Sequence, residues 1–178
     1  MKRVSIACFI ALALIPVWSC RHTENIKVVK ETENRILQQE DGTVSLKLDK
    51  AGRYCDQVNP SNNTADWDIV ISKPGRFKVW LSSATKDTSN LKYGNPVKIS
   101  LLDDQLEVKP LADRIVLNSD EVQYPYFRAD SYVGSVYVSE PGEYNLQVIS
   151  DKVIVRTPGA VSQADTELLS VLLTPTTH

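Results

Sequence analysis

Apolar and polar residues alternate with a period of two through most of the chain after residue 35. Such alternation turns every second side chain of a strand toward a core and the others toward solvent or a second layer. The alternating apolar positions are Val44, Leu46 and Leu48; Trp67, Ile69 and Ile71; Phe77, Val79 and Leu81; Val97, Ile99 and Leu101; Val136 and Val138; and Tyr144, Leu146 and Val148. Residues 168–173 are apolar on both faces apart from Ser170, which is typical of a central strand. Because no stretch shows comparable helical periodicity, the sequence predicts an all-β sandwich of about eight or nine antiparallel strands.

Two segments repeat one pattern of strand, Pro-Gly turn and strand. Residues 69–79 match residues 136–146, with Pro74-Gly75 and Pro141-Gly142 at equivalent positions. Proline presets φ at the first central position of a type II turn, and glycine accepts a positive φ at the second. We therefore predict two tight hairpins. Two hairpins with the same turn do not by themselves indicate a duplicated domain.

The strand–turn–strand of residues 67–81 resembles that of galactose-binding-like jelly rolls, which include the family 6 and family 35 carbohydrate-binding modules and domains appended to fucosidases. Residues 134–146 resemble their second hairpin, and residues 167–175 resemble their last strand. The resemblance covers residues 36–175 and implies a jelly-roll domain with a carbohydrate ligand. Those modules often begin with a Glu-x-Glu-like strand that contributes to a calcium site, whereas residues 38–41 are Gln-Gln-Glu-Asp. We accordingly predict no metal and no cofactor.

The first twenty residues resemble the signal peptide of a bacterial lipoprotein. Two basic residues precede an apolar run, residues 4–17, that is too short to span a bilayer, and Cys20 follows a small residue. The resemblance implies that residues 1–19 are a signal peptide and that Cys20 is the lipidation site. Residues 20–34 would then form a polar tether to a domain of residues 35–178. We expect a protein of the cell envelope that its lipid alone attaches to the outer membrane.

Alternatives stay open at this terminus. Val17 and Ser19 also fit an ordinary secretory cleavage site, and the segment could remain as an uncleaved anchor. Residues 26–29 could form an edge strand instead of part of a tether. If Cys20 is lipidated, Cys55 should be a buried thiol, whereas an unmodified Cys20 could pair with it in a disulfide.

Composition and motifs argue against several functions. The formal net charge is −2 and no basic run occurs, so nucleic acid is not an expected partner. The only histidines are His22 in the tether and His178 at the end, and neither suits a nucleophile–histidine pair. The sequence has no zinc-site spacing and no Gly-rich phosphate loop. Acids such as Asp103, Asp120 and Glu121 could supply the carboxylate pair of a glycosidase, but acids beside strand ends are usually solvated. We predict that the protein is not an enzyme.

Sugars are held by flat aromatic rings with planar polar groups beside them. Residues 124–132 place four aromatic side chains, an arginine and an aspartate in one loop-like segment, and Trp80 should point away from the core. We predict that the carbohydrate-binding residues are Tyr124, Tyr126, Arg128, Trp80, Tyr93 and Asn118. We expect at least two of the four rings to be buried, and some of them could cap the core edge. Trp80 could alternatively be covered by the N-terminal segment or by a partner domain.

The sequence therefore predicts a membrane-anchored, non-catalytic lipoprotein that binds a carbohydrate or glycoconjugate. The alternative is a structural or assembly lipoprotein whose sandwich binds another protein of the cell envelope. A carbohydrate site requires the aromatic residues to meet at a polar-lined groove, whereas protein docking requires an apolar patch. A third hypothesis, a small glycan-processing enzyme, requires two facing carboxylates in a pocket.

Overall fold

The computed structural model describes residues 35–154 and 164–176, which form a sandwich of two β-sheets. The strands are β1 (Ile36–Leu37), β2 (Val44–Lys47), β3 (Gly52–Tyr54), β4 (Thr64–Ile71), β5 (Gly75–Thr85), β6 (Val97–Leu101), β7 (Asp104–Val108), β8 (Arg114–Val116), β9 (Phe127–Val138), β10 (Gly142–Ile149) and β11 (Thr166–Pro175). Two 3-10 turns, Leu48–Lys50 and Pro60–Asn62, lie in the connections. The predicted all-β sandwich is confirmed.

Sheet A contains six strands and sheet B contains five. Sheet A has the order β1-β4-β10-β6-β7. Strand β10 pairs along the whole of one edge of β4, so β1 and β3 both pair with the other edge. Sheet B has the order β2-β11-β5-β9-β8. Pairing is antiparallel throughout except between β1 and β4. The strand count exceeds the predicted eight or nine because β1, β3 and β8 have only two or three residues, too few to show alternation.

The two Pro-Gly turns join strands of different sheets, which corrects the prediction of two hairpins. In sheet A, β4 pairs with β10 and Gly142 lies opposite Ile71. In sheet B, β5 pairs with β9 and Gly75 lies opposite Val138. The two turns therefore cross between the sheets side by side. The repeated sequence pattern follows from this arrangement, since the two strand–turn–strand segments are each other's partners in both sheets.

The two ends of the sandwich differ. The Pro-Gly crossings lie at one end, called the corner end, and the connections that follow β2, β5, β8 and β10 lie at the other, called the loop end. Between the sheets, the largest fully buried side chains include Trp67, Phe77, Leu46, Ile69 and Leu146. The Trp67 indole N–H donates to the Lys47 carbonyl at 2.9 Å, so sheet A is bonded to the end of β2 in sheet B.

Side-chain carboxylates close the exposed edge of β9. Strand β8 pairs with β9 only at residues 128–130, which leaves N–H groups farther along β9 without a strand partner. Asp113 accepts from the Tyr132 N–H at 2.7 Å, and Asp104 accepts from the Tyr137 N–H at 3.1 Å. These bonds satisfy the edge and oppose pairing with a strand from another chain.

The N-terminal predictions concern residues beyond those described. The predicted signal peptide, Cys20 and the tether, including the alternative edge strand at residues 26–29, all lie outside the described ranges. Cys55 is half-buried, and its Sγ lies 3.8 Å from the Val153 carbonyl oxygen. Across residues 35–154 and 164–176, no helix is long and apolar enough to cross a membrane.

Candidate functional site

An open cleft of about 390 Å³ lies at the loop end of the sandwich. Its charged lining residues are Lys47, Arg53, Lys152, Asp49, Glu121 and Glu167. Its apolar lining residues are Leu48, Ile154, Leu168 and Leu169. The volume falls within the range of small-ligand sites, and the lining combines apolar surface with groups that donate and accept hydrogen bonds.

The cleft is assembled from segments that are distant in sequence. Lys47 at the end of β2 lies opposite Ser170 of β11, which brings residues 47–49 beside the start of β11. Arg53 comes from β3 at the edge of sheet A, and Glu121 comes from the connection between β8 and β9. The loop end thus collects side chains from both sheets, as is usual for sites on the loops of a rigid sandwich.

Three charged lining residues, Lys47, Glu121 and Lys152, are ion-paired within the protein. Lys47 Nζ lies 3.7 Å from Glu121, and Lys152 Nζ lies 3.0 Å from Asp151. Within the described part of the chain, the side chains of Arg53 and Asp49 make no hydrogen bond or ion pair. The cleft therefore offers one cation and one carboxylate whose hydrogen-bonding groups are available to a ligand.

The predicted aromatic segment does not form one surface. Tyr124 is 92% exposed on the connection between β8 and β9, and Asn118 is exposed on the same connection. Tyr126 is half-buried, and its hydroxyl donates to the Ala164 carbonyl at 2.7 Å. Phe127 is also half-buried, so the segment has two partly covered rings, and the prediction of at least two buried rings was wrong.

Trp80 points outward from sheet B, as predicted. Its neighbours Val79 and Leu81 are fully buried, so the alternation of β5 turns the indole to the outer face. The Tyr132 ring packs against it at a centroid distance of 5.3 Å, and the Arg114 guanidinium lies 5.5 Å from the indole ring. Trp80 is half-buried as a result.

Arg128 is ion-paired inside the protein, and its role as a ligand-binding residue stays a prediction. Its Nε donates to Asp130 Oδ1 at 2.8 Å, and its Nη1 donates to Glu121 at 2.8 Å. Asp130 is 1% exposed and also accepts from Ser82 at 2.8 Å and from Arg114 Nε at 3.0 Å. The Arg128 guanidinium therefore stabilises a buried carboxylate.

The electrostatics of Asp130 follow from these contacts. Burial alone would raise the pKa of Asp130, but hydrogen bonds from Arg128, Arg114 and Ser82 outweigh it and hold the pKa below its ordinary value. The ionised carboxylate fixes both guanidinium groups on the outer face of sheet B. Through Glu121, the same network reaches the rim of the cleft.

Tyr93 is a core residue, which corrects its prediction as part of a binding face. The connection between β5 and β6 folds back under the loop end and buries Tyr93 to 4% exposure beside Leu91. The Tyr93 and Ser83 hydroxyls are hydrogen-bonded at 2.8 Å, and burial raises the pKa of Tyr93 well above its ordinary value. Although Tyr93 lies in a polar loop sequence, its ring packs into the core and closes it.

The predicted residues thus do not converge on one groove, and the cleft is lined by others. None of Tyr124, Tyr126, Arg128, Trp80, Tyr93 or Asn118 is among the described cleft-lining residues. Arg53 lies in a short strand whose sequence resembles a turn, and Asp49 follows the end of a strand, where many acids are simply solvated. Neither could therefore be recognised as a site residue from the sequence. Only Glu121, named among the candidate carboxylates, had a local signal. In the described ranges, no cluster of three or more His, Cys, Asp and Glu side chains could hold a metal ion.

Comparison with known proteins places the fold. No protein family matches the chain, and no curated protein matches it. Among solved structures, it is similar to the α-L-fucosidase from Vibrio sp. strain EJY3, with 21% identity and a TM-score of 0.63 over 79% of this chain. The GH26-CBM35 β-(1,4)-mannanase from Podospora anserina aligns over 78% of this chain with 11% identity and a TM-score of 0.45. The chain spans 24% of the fucosidase chain and 28% of the mannanase chain, so the likeness to the fucosidase concerns the fold of one part of a larger protein.

Proposed function

We propose that the protein is a non-catalytic, lipid-anchored carbohydrate-binding protein that holds a glycan or glycoconjugate in the loop-end cleft. The observation that carries this proposal is the cleft itself, an open site whose charged and apolar side chains come from both sheets. Part of an α-L-fucosidase has a similar fold, and that enzyme acts on a sugar. This likeness supports a carbohydrate ligand without naming the sugar.

The lining suits a polyhydroxylated ligand. Each sugar hydroxyl both donates and accepts, so a sugar needs donors and acceptors close together. Arg53 and Asp49 supply one of each, while Leu168 and Leu169 offer an apolar surface to the C–H face of a ring. Because the described lining contains no aromatic ring, binding would depend on hydrogen bonds more than on stacking, which corresponds to modest affinity.

The two alternative functions have less support. Docking of a protein was expected to need one apolar patch formed by the aromatic segment and Trp80, but only Tyr132 packs against Trp80, and the Tyr126 hydroxyl bonds instead to the Ala164 carbonyl. Glycoside hydrolysis would need a pair of facing carboxylates; Asp49 is available to a ligand, but Glu121 is ion-paired with Arg128 and Lys47. We therefore favour binding over hydrolysis for this site.

Glycan-array screening of the folded domain, followed by affinity electrophoresis with the ligands found, tests the proposal. We expect the Arg53→Ala and Asp49→Ala variants to bind roughly tenfold more weakly, because each loses about one ligand hydrogen bond to a charged group. The matched control is Lys109→Ala, which removes an exposed cation near the opposite edge of sheet A. Folded protein that binds no glycan, or binding that is equally strong in all variants, would contradict the proposal.

The anchor needs its own test. Lipidation of Cys20 predicts that the mature protein partitions into detergent and gains the mass of an acyl-modified cysteine. A Cys20→Ser variant should lose both properties. If the two proteins partition alike and have masses that differ only by the substitution, the protein is not a lipoprotein.

A further inference from the structure

The outer face of sheet B carries a row of aromatic and cationic side chains apart from the cleft. The register pairs Trp80 with Tyr132 and, four residues back along β5, Arg76 with Tyr137. Strand rise places these two pairs roughly 13 Å apart. Lys78 lies between them on β5 and is exposed. This row, called the β5–β9 strip, is long enough to contact several units of an extended chain.

The strip is exposed. Tyr132 is 42% exposed and Tyr137 is 56% exposed, and both lie on the part of β9 that pairs with β5 but not with β8. The Arg76 guanidinium lies 5.9 Å from the Tyr137 ring, as Arg114 does at 5.5 Å from Trp80. Two aromatic positions, each with an arginine against its ring, therefore recur along the same face.

Arg114 is oriented by the buried acid beneath it. Asp130 accepts from its Nε and Nη2 atoms, which holds the guanidinium in place beside Trp80. Over the described ranges, Arg114 Nη1 makes no hydrogen bond, and 58% of the side chain is exposed. An arginine fixed on one edge and open on the other is preorganised to pair with a planar anion.

The charges around the strip favour an anionic ligand. Arg76 and Lys78 make no ion pair with any residue in the described ranges. The nearby carboxylates Asp104 and Asp113 are turned toward backbone N–H groups of β9. The strip thus presents unpaired cations on a chain whose formal net charge is −2, so attraction of a polyanion would be local to this face.

We propose that the β5–β9 strip is a second binding site, for an acidic polysaccharide whose sugar units carry carboxylates. Tyr132 and Tyr137 would contact the apolar faces of sugar rings, while Arg76, Lys78 and Arg114 would pair with carboxylate groups. This site is independent of the loop-end cleft and does not require a ligand there.

Affinity electrophoresis in gels that contain polygalacturonate, compared with the same polymer after methyl esterification, tests this site. We expect the wild-type protein to be retarded by the acid form, less by the ester, and less at high salt. The double variant Tyr132→Ala/Tyr137→Ala should be retarded roughly tenfold less, and Arg76→Gln/Lys78→Gln should lose the preference for the acid form. Because the glutamine variant changes only exposed side chains, it tests the site even if the alanine variant does not fold.

Two controls separate the strip from the cleft. Tyr124→Ala removes an exposed tyrosine that is off the strip, and Arg53→Ala removes the cleft cation; both should be retarded like the wild type. The strip is overturned if the wild type is not retarded by polygalacturonate, or if the ester retards it equally. It is also overturned if the strip variants keep the wild-type behaviour, or if Arg53→Ala alone abolishes it. In that last case the cleft would be the acidic-glycan site.

Discussion

Asp130 is the residue on which the outer face of sheet B depends. A carboxylate that is 1% exposed receives hydrogen bonds from Ser82, Arg114 and Arg128, and these side chains come from three adjacent strands. Removing one partner of a buried charge pair is costly because the others are left without a counterion. Asp130 therefore ties β5, β8 and β9 together.

Replacing Asp130 with asparagine should destabilise the protein by about 3 kcal/mol, the scale reported for breaking buried ion pairs. The amide keeps the shape of the side chain but leaves Arg114 and Arg128 facing a neutral group. Urea unfolding followed by circular dichroism measures this difference. Asp103→Asn, an exposed acid in the turn between β6 and β7, is the control and should change stability by less than about 0.5 kcal/mol.

The same pair predicts a dependence on pH. Because the pKa of Asp130 is lower in the folded protein than in the unfolded chain, its contribution to stability is complete above the unfolded carboxyl pKa of about 3.9. The contribution is lost as the pH falls through the lower folded pKa. The difference in unfolding free energy between wild type and Asp130→Asn should therefore be constant near pH 7 and shrink below about pH 4. A difference that is unchanged at low pH would contradict this assignment.

Single residues were predictable only where strand alternation decides orientation. Trp80 faces outward because Val79 and Leu81 are core positions, and this could be deduced from the sequence. Tyr93 could not be placed in the same way, because its burial depends on how a long connection folds back onto the sandwich. Arg128 was predicted to bind a ligand because it lies among aromatic residues, and its contacts with Asp130 and Glu121 could not be deduced from the sequence.

Among the elements, the strand segments were predictable and their partners were not. Alternation is a local property, so β4, β5 and β10 could be located within a few residues, whereas residues 127–132, predicted to be loop-like, are the first half of β9. Whether a Pro-Gly turn makes a hairpin or a crossing between sheets depends on which strands are already paired, and that is a property of the whole sandwich. The cleft shares this difficulty, since its lining comes from strand ends that only the topology brings together.

The Gln38 and Lys73 side chains fasten the segment between β1 and β2 to the first Pro-Gly crossing, and Gln38 makes most of the bonds. Gln38 Oε1 accepts from the Ser72 and Lys73 N–H groups at 3.0 and 2.7 Å, and Gln38 Nε2 donates to the Gly42 carbonyl at 2.8 Å. The chain between the two sheets is thereby held at the corner end. Strand β1 is too short to stay paired on its own and should depend on the Gln38 side chain.

A Gln38→Ala substitution should lower stability by about 1–2 kcal/mol, since exposed N–H groups that lose this acceptor can still bond to water. Hydrogen exchange should be faster at Gln38, Ser72 and Lys73, with little change in sheet B. Gln39→Ala is the matched control, because the Gln39 side chain is exposed and makes no hydrogen bond within the described residues. Equal effects of the two substitutions would show that Gln38 does not fasten this segment.

At the scale of the whole molecule, the start of the described domain and the cleft lie toward opposite ends. Strand β1 runs parallel to β4 and pairs with Ile69 and Val70, close to the corner end, whereas the cleft opens at the loop end. A lipid on Cys20 would thus attach through residues 20–34 on the side away from the cleft. Fifteen residues can reach at most about 50 Å, a span that would allow the cleft to lie clear of the bilayer surface.

This geometry predicts that anchoring does not obstruct binding. The lipidated protein on neutral phosphatidylcholine vesicles and the soluble Cys20→Ser variant should bind the same oligosaccharide with the same Kd, within about twofold. Fluorescence anisotropy of a labelled oligosaccharide measures both. A Kd that is tenfold weaker on vesicles would place the cleft against the membrane.

The overall architecture was predictable because one physical rule, alternation at period two, acts along the whole chain. The ligand site was not, because the described cleft is lined by charged and aliphatic residues that are common on any surface. The aromatic residues that stand out in the sequence belong instead to the core, as Tyr93 does, or to the exposed face around Trp80.

The most direct test of the proposed function is to map a bound glycan onto the backbone by NMR, using an oligosaccharide found by array screening. We expect the amide signals that shift during titration to cluster at residues 47–53, Glu121, residues 152–154 and residues 167–169, with saturation at a single Kd. Arg53→Ala should reduce these shifts and leave the fold unchanged. Shifts confined to other surfaces, or none at saturating glycan, would contradict the account of the cleft as the carbohydrate site.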